Sequence, residues 1–336
     1  MNKQIVLATR PNGIVKPTDF SLIQTPIPEI GEGEVLLKNQ YISMDAGFRY
    51  WMNEGTANNV LPCMELGKPV QGIVLGKVIE SKNSKYSVGQ PLMARIAWEE
   101  YSVLKPDNDA VYLVPDNWDC PDSYYLGLLG ETGMSAYIGT HDIGNIKPGE
   151  TALISAAAGA VGCVAGQIAK IMGARVVGIT GNNDKASRLI NEFGFDAVVN
   201  YKTADSLEAA IRAQCPDGID FYFDSIGGPM LEAAIANLAT GARLALCGAT
   251  NSYSNTAPLP GPNNLFELVT KQATMTGFLT HMDAERYVDF REQLFQWLTD
   301  GKLKNADTMG QGIESTPAAF SAIFTGQNFG KSIIKL

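Results

Sequence analysis

The stretch Ser155-Ala156-Ala157-Ala158-Gly159-Ala160-Val161-Gly162 ends a run of apolar residues and opens a helical one. Its spacing is that of G-x-G-x-x-G with Ala157 in the first place. In such a turn Gly159 lets the backbone approach a pyrophosphate, and Gly162 lets the helix pack closely. The helix N-terminus adds N–H donors and partial positive charge for the phosphates. Small residues at this spacing also serve plain helix–sheet packing; the position between a strand and a helix favours dinucleotide binding.

The next strand separates the two nicotinamide cofactors. An NAD site carries Asp or Glu at the end of the second strand, to bind the ribose hydroxyls. Here that strand ends Val176-Val177-Gly178-Ile179-Thr180-Gly181-Asn182-Asn183, with no acid. Asp184 follows and reads as serving the next helix start. Lys185 then lies within reach of a 2′-phosphate, where one charge-assisted hydrogen bond contributes about 1.5–3 kcal/mol. The alternative for Lys185 is a solvated lysine on a helix start. The reading is NADPH over NADH.

Two kinds of element must position these residues. Before about residue 125, short strand-like runs (34–38, 72–79, 92–97) alternate with Gly/Pro/Asn turns, the pattern of an antiparallel barrel or sandwich. From Thr151 onward, strand candidates at 151–156, 175–180, 197–200, 219–224, 243–248 and 274–279 alternate with helical stretches at 160–172, 184–193, 206–214, 229–239 and 264–272. Six strands with helical crossovers predict an α/β, doubly wound parallel sheet. A long helix follows at about 284–300, and Ser332–Leu336 read as a strand returned to the N-terminal domain. The expected division is 1–127 with 306–336, and 128–305 between them. Gly173 and Gly194 fall where left-handed helix C-caps are wanted.

The chain's 336 residues suffice for two cores. Its net charge of -9 argues against nucleic acid and anionic membrane as partners. The opening Met1–Leu7 reads as a strand without the features of a secretory signal, and no apolar run is long enough to span a bilayer. Five scattered cysteines without C-x-x-C fit reduced thiols, and a cytoplasmic location is expected. The two histidines, His141 and His281, have no cysteine or carboxylate at zinc-ligand spacing and read as surface or loop residues. Without a metal site or a Ser-Tyr-x-x-x-Lys arrangement, oxidation of an unactivated alcohol is hard to support. Hydride transfer to an electron-poor alkene needs less: a polarised carbonyl, an aligned nicotinamide, and a proton for the α-carbon.

Along nearly its whole length the sequence resembles the zinc-independent medium-chain dehydrogenase/reductases. It is most similar to the branch holding prostaglandin, curcumin and alkenal double-bond reductases. The resemblance rests on Tyr41-Ile42-Ser43-Met44-Asp45, Thr132-Gly133-Met134-Ser135-Ala136-Tyr137, the glycine-rich turn, Gly194-Phe195-Asp196, Asn200-Tyr201-Lys202 and Phe223-Asp224-Ser225-Ile226-Gly227-Gly228. Cys247-Gly248-Ala249, Pro258-Leu259-Pro260-Gly261-Pro262 and Asn328-Phe329-Gly330-Lys331 complete the series.

The resemblance implies a GroES-like N-terminal domain and a Rossmann domain. It implies that Gly159, Ala160, Val161 and Gly162 hold the pyrophosphate while Lys185 and Tyr201 clasp the 2′-phosphate. Ser135 would lie near the nicotinamide amide, and Ser225, standing where relatives often carry Asn, would be a further cofactor contact. Cys247, Gly248, Ala249, Thr250, Asn251, Ser252 and Tyr253, with Phe278, Leu279, Thr280 and Asn328, would line the rest. Tyr253 would reach the substrate cleft and bond the carbonyl or enolate; otherwise it is a loop tyrosine. Prostaglandin reductases read Asp-Pro-Tyr-Met-Arg where this chain has Asp45-Ala46-Gly47-Phe48-Arg49; Gly47 replaces the cleft tyrosine, with Tyr50 and Trp51 close by, which implies a reshaped pocket. Arg49 would bind a substrate acid or pair with Asp45 or a neighbour. Relatives are homodimers joined through the sixth strand, so Thr274–Leu279 is the expected edge. The implied reaction is NADPH-dependent reduction of the double bond of α,β-unsaturated ketones or aldehydes, by hydride transfer to the β-carbon. Quinone reduction and non-catalytic NADPH binding remain alternatives.

Overall fold

The computed structural model describes residues 1–56, 61–115, 118–255, 259–280 and 286–336. His281 and Pro258 therefore lie outside the described residues. The chain divides into one unit of Met1–Leu126 with Asp307–Leu336, and another of Gly127–Ala306. No helix among the described residues is long and apolar enough to cross a membrane.

The strands, in chain order, are β1 (Asn2–Leu7), β2 (Phe20–Thr25), β3 (Val35–Met44), β4 (Gln71–Ser81), β5 (Pro91–Ala97), β6 (Tyr101–Leu104), β7 (Val111–Leu113), β8 (Thr151–Ile154), β9 (Arg175–Thr180), β10 (Ala197–Asn200), β11 (Ile219–Asp224), β12 (Leu238–Leu246), β13 (Thr274–Gly277), β14 (Asp307–Gln311) and β15 (Lys331–Lys335). The helices are α1 (Glu131–Tyr137), α2 (Ala160–Ile171), α3 (Asn183–Phe193), α4 (Leu207–Gln214), α5 (Gly228–Ile235), α6 (Thr250–Tyr253), α7 (Phe266–Thr270), α8 (Tyr287–Thr299) and α9 (Thr316–Thr325).

In the first unit β14-β15-β3-β4-β5-β7 form one sheet, with β6 also paired to β3 and β1-β2 a separate ribbon. The C-terminal strand does return here: β15 runs antiparallel to β3, with Ser332 opposite Met44. A buried carboxylate secures the N-terminal strand. Glu99 accepts from Asn2 Nδ2 at 3.0 Å and Ser102 Oγ at 2.8 Å.

In the second unit the order β10-β9-β8-β11-β12-β13 gives a six-stranded parallel sheet. Leu153, Val177, Ile179 and Tyr222 of its central strands are wholly buried, as a sheet covered by helices requires. Close helix approach comes from missing side chains. A Cβ on Gly166 would lie 2.0 Å from the Phe195 ring, and one on Gly178 3.0 Å from it. Phe195 thus fills the space between α2 and β9, and its burial contributes roughly 2–3 kcal/mol. Gly194 takes φ +76° at the C-cap of α3, as expected.

Three of the differences from the sequence expectation are larger than a residue or two at an element's end. The Ala-rich stretch read as helix to residue 239 ends at Ile235, because Asn237 donates to the Ala233 and Glu208 carbonyls and Leu238 joins Ile219 in the sheet. β12 therefore begins at Leu238 and crosses a bulge at Gly241 before the expected strand. Residues 131–143, assigned to no element from sequence, form α1 and a π-helical turn at Ile138–Ile143.

Candidate functional site

The parallel sheet reverses its winding between β8 and β11, where a crevice opens at the carboxyl ends of the strands. Ser155, just after β8, faces Ser225, just after β11. The Ser225 N–H donates to Ser155 Oγ at 2.8 Å, and the Ser155 N–H donates to the Phe223 carbonyl at 3.0 Å. From Ser155 the chain turns through Ala156, which takes φ +44°, a strained value for a residue with a side chain. This turn aims the start of α2 at the crevice. Gly159 provides no side-chain cap, so the N–H groups of Ala160, Val161 and Gly162 begin the helix without intrahelical partners. A Cβ on Gly162 would lie 2.4 Å from the Ala156 carbonyl oxygen. Only glycine lets helix and turn meet there.

One strand further out, the ends of β9 and β10 gather the residues expected around a 2′-phosphate. Asn182 caps α3, accepting from the Asp184 and Lys185 N–H groups at 2.7 and 3.1 Å. Asp184 sits in the first turn, where its charge suits the helix dipole. Asn200 Nδ2 donates to Asn183 Oδ1 at 2.7 Å, fastening β10 to that helix start. The Tyr201 ring and the Lys202 side chain both crowd Gly181; a Cβ there would lie 2.8 and 2.9 Å from them. Burial lowers the proton affinity of the Lys185 ammonium, and the Lys202 charge lowers it further. Two cations at one strand end form a place for an anion. Lys202 is the residue that sequence reasoning quoted in a motif without giving it a role. Its signal was its position beside Tyr201.

The other side of the crevice is the loop after β12. The Cys247 and Gly248 N–H groups donate to the Asp224 carbonyl at 2.8 and 3.3 Å. Thr250 N–H reaches the Ser225 carbonyl and Asn251 N–H that of Ile226, both at 3.1 Å. Ser252 folds back on the Ala249 carbonyl, and the Tyr253 phenolic oxygen accepts from the Ala249 N–H at 3.1 Å. Burial pushes the Tyr253 phenol above its ordinary value. Burial also pushes the Cys247 thiol up to about 12, against a hydrogen bond with Ser135. Ser135 Oγ in turn donates to the Glu131 carbonyl at 2.9 Å. The Phe278 ring meets Phe223 edge-on at 6.4 Å, and Leu279 is exposed. Ser135, the glycine turn, Ser225, Cys247–Tyr253 and Phe278 thus converge on neighbouring strand ends.

Gly47, Arg49, Tyr50 and Asn328 belong to the other unit. Asn328 Nδ2 donates to the Gly330 carbonyl at 2.8 Å. Gly47 faces open space, and Tyr50 is partly exposed with its ring edge-on to Trp51. The expected pairing of Arg49 with Asp45 is corrected. The Arg49 side chain is wholly buried and donates to the Pro11 and Gly13 carbonyls and to Asn53 Oδ1. It has no surface to offer a substrate acid, and Asp45 is taken by Lys331 and Ser43. His141 stacks on Tyr137 at 4.6 Å and pairs with Asp142 at 2.8 Å. Among the described residues, no group of three or more His, Cys, Asp or Glu side chains is placed to hold a metal ion.

Comparison with known proteins agrees with this architecture. Residues 3–111 match a family described as the N-terminal domain of oxidoreductase, and residues 160–300 one described as zinc-binding dehydrogenase. The chain is 41% identical to the putative NADP-dependent oxidoreductase YfmJ of Bacillus subtilis, covering 99% of this chain and 97% of that one. It is 37% identical to the NADP(+)-dependent 2-alkenal reductase of Nicotiana tabacum, with coverage of 99% and 97%. The structure of CurA from Vibrio vulnificus in complex with NADPH superimposes with a TM-score of 0.90 at 34% identity, covering 99% of this chain and 98% of that one.

Proposed function

From the premise that the chain belongs to the medium-chain dehydrogenase/reductases, in their zinc-independent branch, we propose that it reduces the carbon–carbon double bond of α,β-unsaturated ketones or aldehydes. It is an NADPH-dependent oxidoreductase. The crevice residues fit the cofactor. The Gly162 turn has no room for a side chain, and Ser225 Oγ is buried without a protein partner. Ala160–Gly162 would bind the pyrophosphate with N–H groups, and Lys185, Tyr201 and Lys202 the 2′-phosphate. Ser135 and Ser225 would turn hydroxyls to the carboxamide end.

When bound, NADPH supplies the hydride that adds to the β-carbon of the enone. The electron pair of the alkene shifts toward the carbonyl oxygen, and the resulting enolate takes a proton at its α-carbon. Tyr253 is proposed to hydrogen-bond that oxygen as charge develops on it. The observation that carries the reading is the convergence of the glycine turn, Ser225 and Tyr253 at the neighbouring ends of β8, β11 and β12.

A second copy of the chain is the proposed partner. Among the described residues β13 pairs only with β12, which leaves its outer edge open. Beside it Phe266 is 73% and Val269 67% exposed, together with Met275. An open apolar edge of this kind suits strand pairing between subunits.

The test is loss of 340 nm absorbance with NADPH and then NADH, over a panel of enones, enals and quinones. NADPH-dependent turnover of enones is expected. Turnover of quinones alone would move the assignment to quinone reduction. Tight NADPH binding with no turnover at all would leave a binding protein.

A further inference from the structure

Asp224 ends β11 at the winding reversal, with its carboxylate 1% exposed. Oδ1 accepts from Tyr222 Oη, Ile226 N–H and Gly227 N–H, each at 3.0 Å, and from Ser155 Oγ at 3.4 Å. Oδ2 accepts from Gly227 N–H at 3.1 Å. Its two main-chain partners are obligate donors and the Tyr222 and Ser155 hydroxyls can donate to it, a set that suits the anion. None of these partners is a cation. What stabilises the charge is dipolar: two main-chain N–H groups before α5, and two hydroxyls. Burial raises the proton affinity of Asp224 and these donors oppose the rise. The field reaches the crevice wall, since the charge also raises the Cys247 thiol and the Tyr253 phenol.

A buried anion without a counter-ion is costly unless something gains from it. The nicotinamide ring is neutral in NADPH and cationic in NADP+, and it becomes positive as hydride departs. We propose that Asp224 is an electrostatic positioning residue: it orders the Ser155 and Ser225 loops, and its charge favours the oxidised, cationic ring over the reduced one. The inference rests on the cofactor reading above, not on the identity of the acceptor.

The test is the ratio of dissociation constants for NADP+ and NADPH, measured by titration of protein fluorescence. In Asp224→Asn, which keeps the shape and removes the charge, the ratio rises about tenfold. That equals a shift of about 30 mV in the potential of the bound two-electron couple. In Tyr222→Phe, which strips a donor from the carboxylate and leaves the charge, the ratio falls about twofold. A purely architectural Asp224 would weaken both forms alike, and an unchanged ratio in a folded Asp224→Asn overturns the proposal. If Asp224→Asn does not fold, Tyr222→Phe decides: a ratio that stays or rises sinks it. Wild-type protein that binds both cofactors without reducing enones defeats only the enone reading, and the ratios still decide this one. Protein that binds neither defeats both.

Discussion

The phenolic oxygen of Tyr253 accepts the main-chain N–H of Ala249, four residues earlier, and so closes α6 onto the loop that lines the crevice. Tyr253→Phe removes this bond and any bond to substrate while keeping the ring. Enone turnover should fall about tenfold, the worth of one good hydrogen bond, with NADPH affinity changed less. An unchanged kcat would return Tyr253 to a loop residue. Because burial raises the phenol, the protonated form persists above the ordinary tyrosine range. Activity that needs this proton should therefore hold through about pH 10 and decline only beyond it.

Lys185 and Lys202 make a prediction about selectivity. Replacing either by alanine should weaken NADPH roughly tenfold and leave NADH nearly unmoved. Equal losses for both cofactors would remove the 2′-phosphate assignment. Since burial and Lys202 lower the proton affinity of Lys185, its charge is lost at a lower pH than that of a free lysine. The preference for NADPH should accordingly fade on the alkaline side before about pH 10.4.

Gly162 and Gly166 lie one helical turn apart in α2 and should fail differently. Gly166→Ala drives a methyl into the Phe195 ring and should cost about 1–3 kcal/mol in stability. Gly162→Ala pushes the helix start off the Ala156 carbonyl and should weaken NADPH as well. Thermal melts with and without NADPH separate the two. Equal ligand-induced shifts would mean Gly162 serves packing alone.

Arg49→Ala strips a buried guanidinium from the Pro11 and Gly13 carbonyls and should cost about 3 kcal/mol. Enone KM should not depend on a carboxylate elsewhere on the substrate in either form. A KM penalty confined to acidic substrates would reopen its role in recognition.

Phe266→Asp and Met275→Lys place charge on the open edge beside β13. Sedimentation should show a shift from dimer to monomer. A wild-type chain that sediments as a monomer would retire the pairing.

The Rossmann half was the more legible in the sequence. β9, β10 and β11 fall where the apolar runs placed them; β9 and β11 are interior strands, and a strand buried on both faces reads as a nearly continuous apolar stretch. The helix after β11 was overextended because alanine propensity says nothing about Asn237, whose bond to Glu208 is a tertiary fact. α1 went unassigned because its turns are buried through glycine and small residues, without an amphipathic stripe. Among the site residues, only the glycine turn and Lys185 were read from the residues themselves; the others came from the family resemblance. The fate of Arg49 could not be read, because its partners are carbonyls 36 and 38 residues away. Lys202 needed the fold to bring β10 beside β9.

Cys247 has a further meaning if the substrates are electrophilic alkenes. Such compounds alkylate thiolates, so a nucleophilic sulfur beside the crevice would lead to self-poisoning. With its thiol pushed up to about 12 by burial, Cys247 stays protonated at neutral pH. The wall of the crevice is thereby chemically inert toward the very molecules it would admit, and inactivation during turnover should be slow even at high enone concentration.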